Sequence, residues 1–265
     1  MRTLHFTAML ATASALSFPV IATAQSAFDG TWKTDIKTID YPAKPVVYEI
    51  KGGMYECKSC AFKAVVKADG KDQKIDGNPY ADTIAVKIID EFHVDVTSKK
   101  AGKVVSQSKF AVSTDKNSMQ RESTSNSPNN AEVVKGVTSY ARVAYDKNGT
   151  NQLSGAWRAQ KADKISDNGL KVTYKSDGAM MNMTQPTGES YSAKTDGTDA
   201  AYQGDPGVTS VSVKVKKNVL EENYKRDGKA VSMAKMEVDA TGKKARVDWI
   251  NHLTKTNGNY MMVKQ

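Results

Sequence analysis

The chain has 265 residues, 38 basic against 29 acidic, for a formal net charge of +9, with 39% hydrophobic and only 8% aromatic residues. The positive surplus admits anionic partners, yet lysines alternate with acids, as in Lys67-Ala68-Asp69 and Lys225-Arg226-Asp227, and no basic block or arginine-rich face forms. That patterning describes a solvated surface and points away from specific nucleic-acid binding.

At the N-terminus Arg2 precedes a stretch of apolar and small residues, Ala8 to Ala24, that ends in Ala22-Thr23-Ala24. A positive start, a short apolar core and an A-x-A site predict a cleaved secretory signal over 1–24, hence a periplasmic or secreted protein. The run is too short and too rich in Ala, Ser and Thr to anchor in a bilayer. Elsewhere nothing approaches the ~18 apolar residues of a membrane helix, so no membrane span is expected. No cysteine stands directly after the cleavage site, where Gln25 and Ser26 follow, so no lipid anchor is expected.

The remainder repeats itself, which decides its organisation. Gly30-Thr31-Trp32-Lys33 returns as Gly155-Ala156-Trp157-Arg158, and Tyr48…Gly52-Gly53-Met54 as Tyr174…Gly178-Ala179-Met180. Lys67-Ala68-Asp69-Gly70-Lys71-Asp72 returns as Lys194-Thr195-Asp196-Gly197-Thr198-Asp199, and Gly77-Asn78-Pro79 as Gly204-Asp205-Pro206. Lys99-Lys100-Ala101-Gly102-Lys103 matches Lys225-Arg226-Asp227-Gly228-Lys229, and Tyr140-Ala141-Arg142-Val143 lies over Tyr260-Met261-Met262-Val263. Collinear matches with small drifts mean duplication. The units are 25–145 and 153–265, joined by a polar, glycine-containing linker over 146–152. A single larger barrel built from both units is the competing arrangement.

Within each unit the pattern is that of half-buried strands. Ile84, Val86 and Ile88 alternate with Ala85, Lys87 and Ile89; Phe92, Val94 and Val96 alternate with His93, Asp95 and Thr97; Val211, Val213 and Val215 alternate with Ser212, Lys214 and Lys216. The breaks are hairpin turns at Gly52-Gly53, Ala68-Asp69-Gly70, Ala101-Gly102, Asp227-Gly228 and Asn257-Gly258. No window has helical periodicity. The predicted fold is all-β: two tandem antiparallel meander β-barrels of about eight strands each, the number that closes a barrel and removes its edges.

A Gly-x-Trp opening the first strand of an up-and-down meander resembles the lipocalin or calycin type of barrel. The resemblance implies that Trp32 and Trp157 close the barrel bases and that Arg142, from a last strand, packs over Trp32. Unit two has Met262 where Arg142 aligns, and no trailing helix. The chain is also similar to exported bacterial proteins with this duplicated unit, a resemblance that brings no function.

Candidate chemistry is sparse. Cys57 and Cys60, spaced C-x-x-C, are the only cysteines. A thioredoxin-like centre needs that spacing at a helix N-terminus, and zinc needs two further ligands where only His93 and His252 remain after the signal. A local structural disulfide is expected instead. Met183 and Pro186 stand at these positions in unit two. His93 and His252 do not align between the units, and no Gly-x-Ser-x-Gly, H-E-x-x-H or phosphate-cradling loop occurs. Met180-Met181-Asn182-Met183, Met233, Met236 and Met261-Met262 offer thioethers for Cu(I), but they sit where strands want flexible filler. Asp69-Gly70-Lys71-Asp72 and its copy lack the alternating carboxylates of a calcium loop and read as turns.

No catalytic, metal or cofactor site is therefore assigned. The expected function is that of a non-enzymatic binding protein holding a small apolar or amphipathic ligand in a barrel. The alternative is an envelope protein that meets an anionic polymer or another protein through its basic surface.

Overall fold

The computed structural model describes residues 26–126 and 132–265, so the signal read over 1–24 lies outside the described residues. The first repeat contributes β1 (Gly30–Asp40), β2 (Val46–Lys51), β3 (Met54–Cys57), β4 (Val65–Lys67) and β5 (Gln73–Lys74). It continues with β6 (Thr83–Ile88), β7 (His93–Lys100), β8 (Lys103–Val112), β9 (Ser118–Ser125) and β10 (Val134–Tyr145). The second repeat contributes β11 (Gly155–Ile165), β12 (Lys171–Asp177), β13 (Met180–Thr184), β14 (Ser190–Lys194) and β15 (Asp196–Gln203). It ends with β16 (Ser210–Lys216), β17 (Val219–Arg226), β18 (Lys229–Val238), β19 (Lys244–Asn251) and β20 (Thr256–Lys264). No α-helix occurs among the described residues, and no helix there is long and apolar enough to cross a membrane.

The fold is all-β, as the alternation requires, but each sheet has ten strands rather than eight. The extra strands of the first repeat are β4 and β5, of three and two residues. They are too short to show a period of two in the sequence. The hairpins β7–β8 and β17–β18 turn on Ala101-Gly102 and Asp227-Gly228, all four residues at positive φ (48° and 78°, 51° and 76°). That pair of left-handed residues matches the right-handed twist of the strands it joins. Two expected turns are strand instead. Asp196–Asp199 opens β15, and Asn257-Gly258 lies within β20. Gly258 is needed there because the Asp40 carbonyl oxygen would stand 2.4 Å from any Cβ.

One sheet is a closed barrel in the order β1-β12-β13-β14-β15-β16-β17-β18-β19-β20. The other runs β4-β3-β2-β11-β10-β9-β8-β7-β6-β5, with β4 and β5 as unpaired edges. Units 25–145 and 153–265 thus exchange their first strands: β1 completes the barrel of the second repeat, and β11 sits inside the sheet of the first. The slots are equivalent, because Gly30 pairs with Tyr174 as Gly155 pairs with Tyr48. The connection Tyr41-Pro42-Ala43-Lys44-Pro45 carries β1 across. Its two prolines disfavour helical backbone at Tyr41 and Lys44 and with it a tight β1–β2 hairpin, whereas β10 and β11 pair directly as sequence neighbours.

Each barrel has its own core. Phe28, Trp32, Tyr174, Met181, Met183, Leu220, Met236 and Val247 fill the closed barrel. Tyr48, Ile50, Val86, Val94, Phe110, Met119, Leu153 and Trp157 fill the open one. The exchanged strand accounts for Trp32 lying in the core of the second repeat and Trp157 in that of the first.

Candidate functional site

The two barrels share a hook at the strand that each takes from the other repeat. Trp32 and Trp157 are both fully buried (0% exposed). Each indole N–H donates to the carbonyl four residues earlier, Trp32 to Phe28 at 2.7 Å and Trp157 to Leu153 at 2.8 Å. Arg142 stacks over Trp157, its Cζ 3.9 Å from the ring centroid, and not over Trp32. Strand exchange is the reason, since β10 meets β11 in the register Arg142↔Trp157. The guanidinium also donates to the carbonyls of Ser154 (3.0 Å), Gln152 (2.6 Å) and Lys116. Over Trp32 lies Lys264, Nζ 4.9 Å from the ring, in the register Trp32↔Lys264. Lys264, two residues beyond Met262, is therefore the counterpart of Arg142. These groups close the ends of the barrels and bring no chemistry together.

Cys57 and Cys60 lie at disulfide distance, with Cα atoms 5.5 Å apart, in the turn that follows β3. Ser59 Oγ accepts from the Val47 N–H at 2.9 Å and ties that turn to β2. His93 is exposed beside Asp90 (2.8 Å), whose carboxyl is held below its usual range by the N–H groups of Phe92 and His93. His252 is exposed in the β19–β20 turn. Met181, Met183, Met236 and Met262 are buried in the closed barrel. The turns Asn78-Pro79-Tyr80 and Gly204-Asp205-Pro206 face each other across a recess of about 610 Å³ between the sheets.

The open barrel contains a cavity of about 350 Å³. Tyr48, Tyr140, Trp157 and Val46 supply its apolar walls, and Arg121 reaches it from the inward face of β9. Its mouth is framed by the disulfide turn (Ser59, Cys60, Ala61), the exchange hinge (Pro42, Lys44, Pro45) and the β19–β20 turn of the other barrel (Thr254, Thr256). Lys44 Nζ fixes hinge to turn by donating to the Thr254 carbonyl at 2.7 Å. Arg121 Nε donates to Ser108 Oγ at 3.1 Å, and the guanidinium carbon lies 5.7 Å from the Phe110 centroid. No carboxylate pairs with Arg121 among the described ion pairs. Despite its burial the guanidinium stays protonated, its pKa raised among Tyr48, Tyr140 and Tyr55. Burial pushes Tyr48 up to about 12, so it stays a neutral hydroxyl. A guanidinium has five N–H donors, and Ser108 and Tyr140 leave several for whatever enters the cavity.

The closed barrel has the opposite arrangement. Glu222, 2% exposed, projects inward from β17. Tyr191 donates to its Oε1 at 2.6 Å and Tyr174 to its Oε2 at 3.2 Å, with Tyr224 as a third donor. Tyr202 packs edge-on to Tyr224, centroids 5.5 Å apart. Burial raises the Glu222 pKa against the lowering effect of those hydroxyls. Burial and the nearby carboxylate together raise the tyrosines, Tyr260 to about 12. A small cavity of about 150 Å³ touches Glu222, Tyr174, Tyr224 and Tyr260.

Registers make the two interiors comparable. Phe110↔Arg121↔Thr138 in the open barrel corresponds to Met236↔Val247↔Tyr260 in the closed one. Val86↔Val96 corresponds to Val213↔Glu222. Each barrel thus carries an ionisable side chain where the other carries valine, at two different positions, one basic and one acidic. Neither residue stands out in a single-sequence reading. The signal lay in the repeat itself, as the inward positions where one copy is apolar and the other ionisable. Compared with known proteins, the chain matches no family model and no curated protein.

Proposed function

We propose that the protein binds a small amphipathic molecule in the cavity of the open barrel, its apolar body among Tyr48, Tyr140 and Trp157 and an anionic head on Arg121. One observation carries this reading: a half-buried guanidinium that has no acidic partner among the described residues lines a cavity of about 350 Å³. Removing a charge from water without pairing it is costly, so the position gains most when a ligand brings the countercharge. Ligand sites are apolar with a few convergent polar groups, and they favour domain junctions. The lining includes no histidine or carboxylate to act as a general base, which favours binding over turnover. Export through the signal read in 1–24 would put this site in the periplasm or outside the cell.

The test compares 1-anilinonaphthalene-8-sulfonate with neutral N-phenyl-1-naphthylamine, followed by quenching or energy transfer from Trp157. Saturable binding of both is expected. Arg121→Met should weaken the sulfonate by about ten- to a hundredfold, the loss of a charge-assisted hydrogen-bond pair, and leave the neutral amine nearly unchanged. No saturable binding would end the proposal. Binding that falls with ionic strength yet ignores Arg121 would move the function to the basic outer surface and an anionic polymer.

A further inference from the structure

Glu222 has no part in the Arg121 site, and a buried carboxylate is an expensive way to fill a barrel. The sister barrel shows that the position does not require it, because Val96 occupies the equivalent place between the same strands. Nor do its neighbours follow from packing alone. Tyr224 stands where the open barrel has Ser98, and Tyr260 where it has Thr138. One copy of the duplicated unit has thus added a carboxylate and two tyrosines, Tyr224 and Tyr260, beside a tyrosine that both copies share (Tyr174 and Tyr48), and the other copy folds without the additions.

We propose that the closed barrel is a second binding site, in which Glu222 and the rings of Tyr174, Tyr224 and Tyr260 take a small organic cation, an amine or quaternary ammonium group. Each component has a role in that chemistry. The carboxylate supplies the countercharge, and no cationic side chain pairs with it among the described ion pairs. Lys171, the one cationic residue of the cavity wall, is engaged by Asp167. Aromatic faces attract a desolvated cation, which is how methylated ammonium groups are recognised. The tyrosine hydroxyls are spent on the carboxylate, so they orient it and hold the rings around the void. A metal ion of the calcium or magnesium type wants six or more oxygen ligands, and a lone carboxylate among rings does not supply them. At roughly 30 Å³ per water-sized group, a void of about 150 Å³ holds on the order of five non-hydrogen atoms, the size of a tetramethylammonium head.

Occupation should be linked to protons. The groups facing Glu222 are the hydroxyls of Tyr174 (β12), Tyr191 (β14), Tyr202 (β15), Tyr224 (β17) and Tyr260 (β20), all neutral, with Lys171 at the rim. A cation favours the ionised acid, so binding at a pH where the empty site is protonated releases one proton to the buffer.

The experiment is isothermal calorimetry of the whole protein with choline chloride, against 3,3-dimethylbutan-1-ol as the neutral isostere, in two buffers of different ionisation enthalpy. Saturable choline binding is expected, with proton release and an affinity at least about tenfold above that of the alcohol. Glu222→Gln should abolish the preference and the proton release, while Arg121→Met keeps both, which separates this site from the first. The proposal fails if choline does not saturate at tens of millimolar, if the alcohol binds as well, or if Glu222→Gln binds choline like the wild type. The isostere and buffer comparisons need only the wild type, so poor folding of the variant would not shield the proposal.

Discussion

Trp32 is encoded in the first repeat and buried in the barrel of the second, so replacing it should weaken a part of the chain far from it in sequence. Trp32→Ala deletes a fully buried indole, a change that costs about 3–5 kcal/mol in well-packed cores. It also orphans the Phe28 carbonyl, which now accepts the indole N–H at 2.7 Å, and strips Lys264 of its aromatic partner. These losses share one site and do not add in full, so about 4 kcal/mol is the expected total. At 1.4 kcal/mol per factor of ten, that accelerates exchange of core amides by roughly a thousandfold where exchange follows barrel opening. Native-state hydrogen exchange read by mass spectrometry should place the acceleration in β12–β20, with β2–β10 far less affected. Trp157→Ala should give the mirror result, in β2–β10. A Trp32→Ala protein that loses protection in β2–β10 while β12–β20 stays slow would refute strand exchange.

Other substitutions probe the remaining parts. The folded-state pKa of Glu222 lies above its ordinary value of 4.5, so its contribution to stability is full below about pH 4.5 and is lost as pH rises through the folded value. Between those points the slope is about 1.4 kcal/mol per pH unit; Glu222→Gln should flatten it and stabilise the protein at neutral pH, and urea denaturation from pH 4 to 8 showing the same slope in both would contradict this. Arg142→Met removes a stacked guanidinium and three donated hydrogen bonds and should cost about 3 kcal/mol. Lys264→Met, with one carbonyl contact at 3.1 Å, should cost under about 1 kcal/mol; equal losses in denaturation would argue against the stacked geometry. Cys57→Ser with Cys60→Ser closes no long loop and should cost less than the ~3 kcal/mol of a 15-residue loop, yet weaken probe binding because Cys60 frames the cavity mouth. Unchanged binding would remove the turn from the site.

The legible features were those written locally. Alternation of Val86, Val94 and Val213 with polar neighbours gives strands, and Ala101-Gly102 and Asp227-Gly228 give hairpins. The Gly-x-Trp starts mark the buried indoles. Strand exchange was not legible, because Gly30-Thr31-Trp32 and Gly155-Ala156-Trp157 fit either slot in the same register. Only the prolines of the hinge and the direct β10–β11 pairing tip the choice. The partner of Arg142 was missed for the same reason, since the stack follows the strand that fills the slot and not the repeat that encodes it. Arg121 and Glu222 were not legible as site residues. Their inward direction follows from strand register, and a charge facing inward looks in sequence like any alternation of polar and apolar residues.

Native mass spectrometry of the full-length protein, purified from its own cells alongside Arg121→Met, addresses the Arg121 cavity most directly. A one-to-one adduct of small mass, acidic on release, is expected on the wild type and absent from the variant. A wild type that carries no adduct and takes up no anionic probe, or a variant that keeps the adduct, would contradict a ligand site built on that guanidinium.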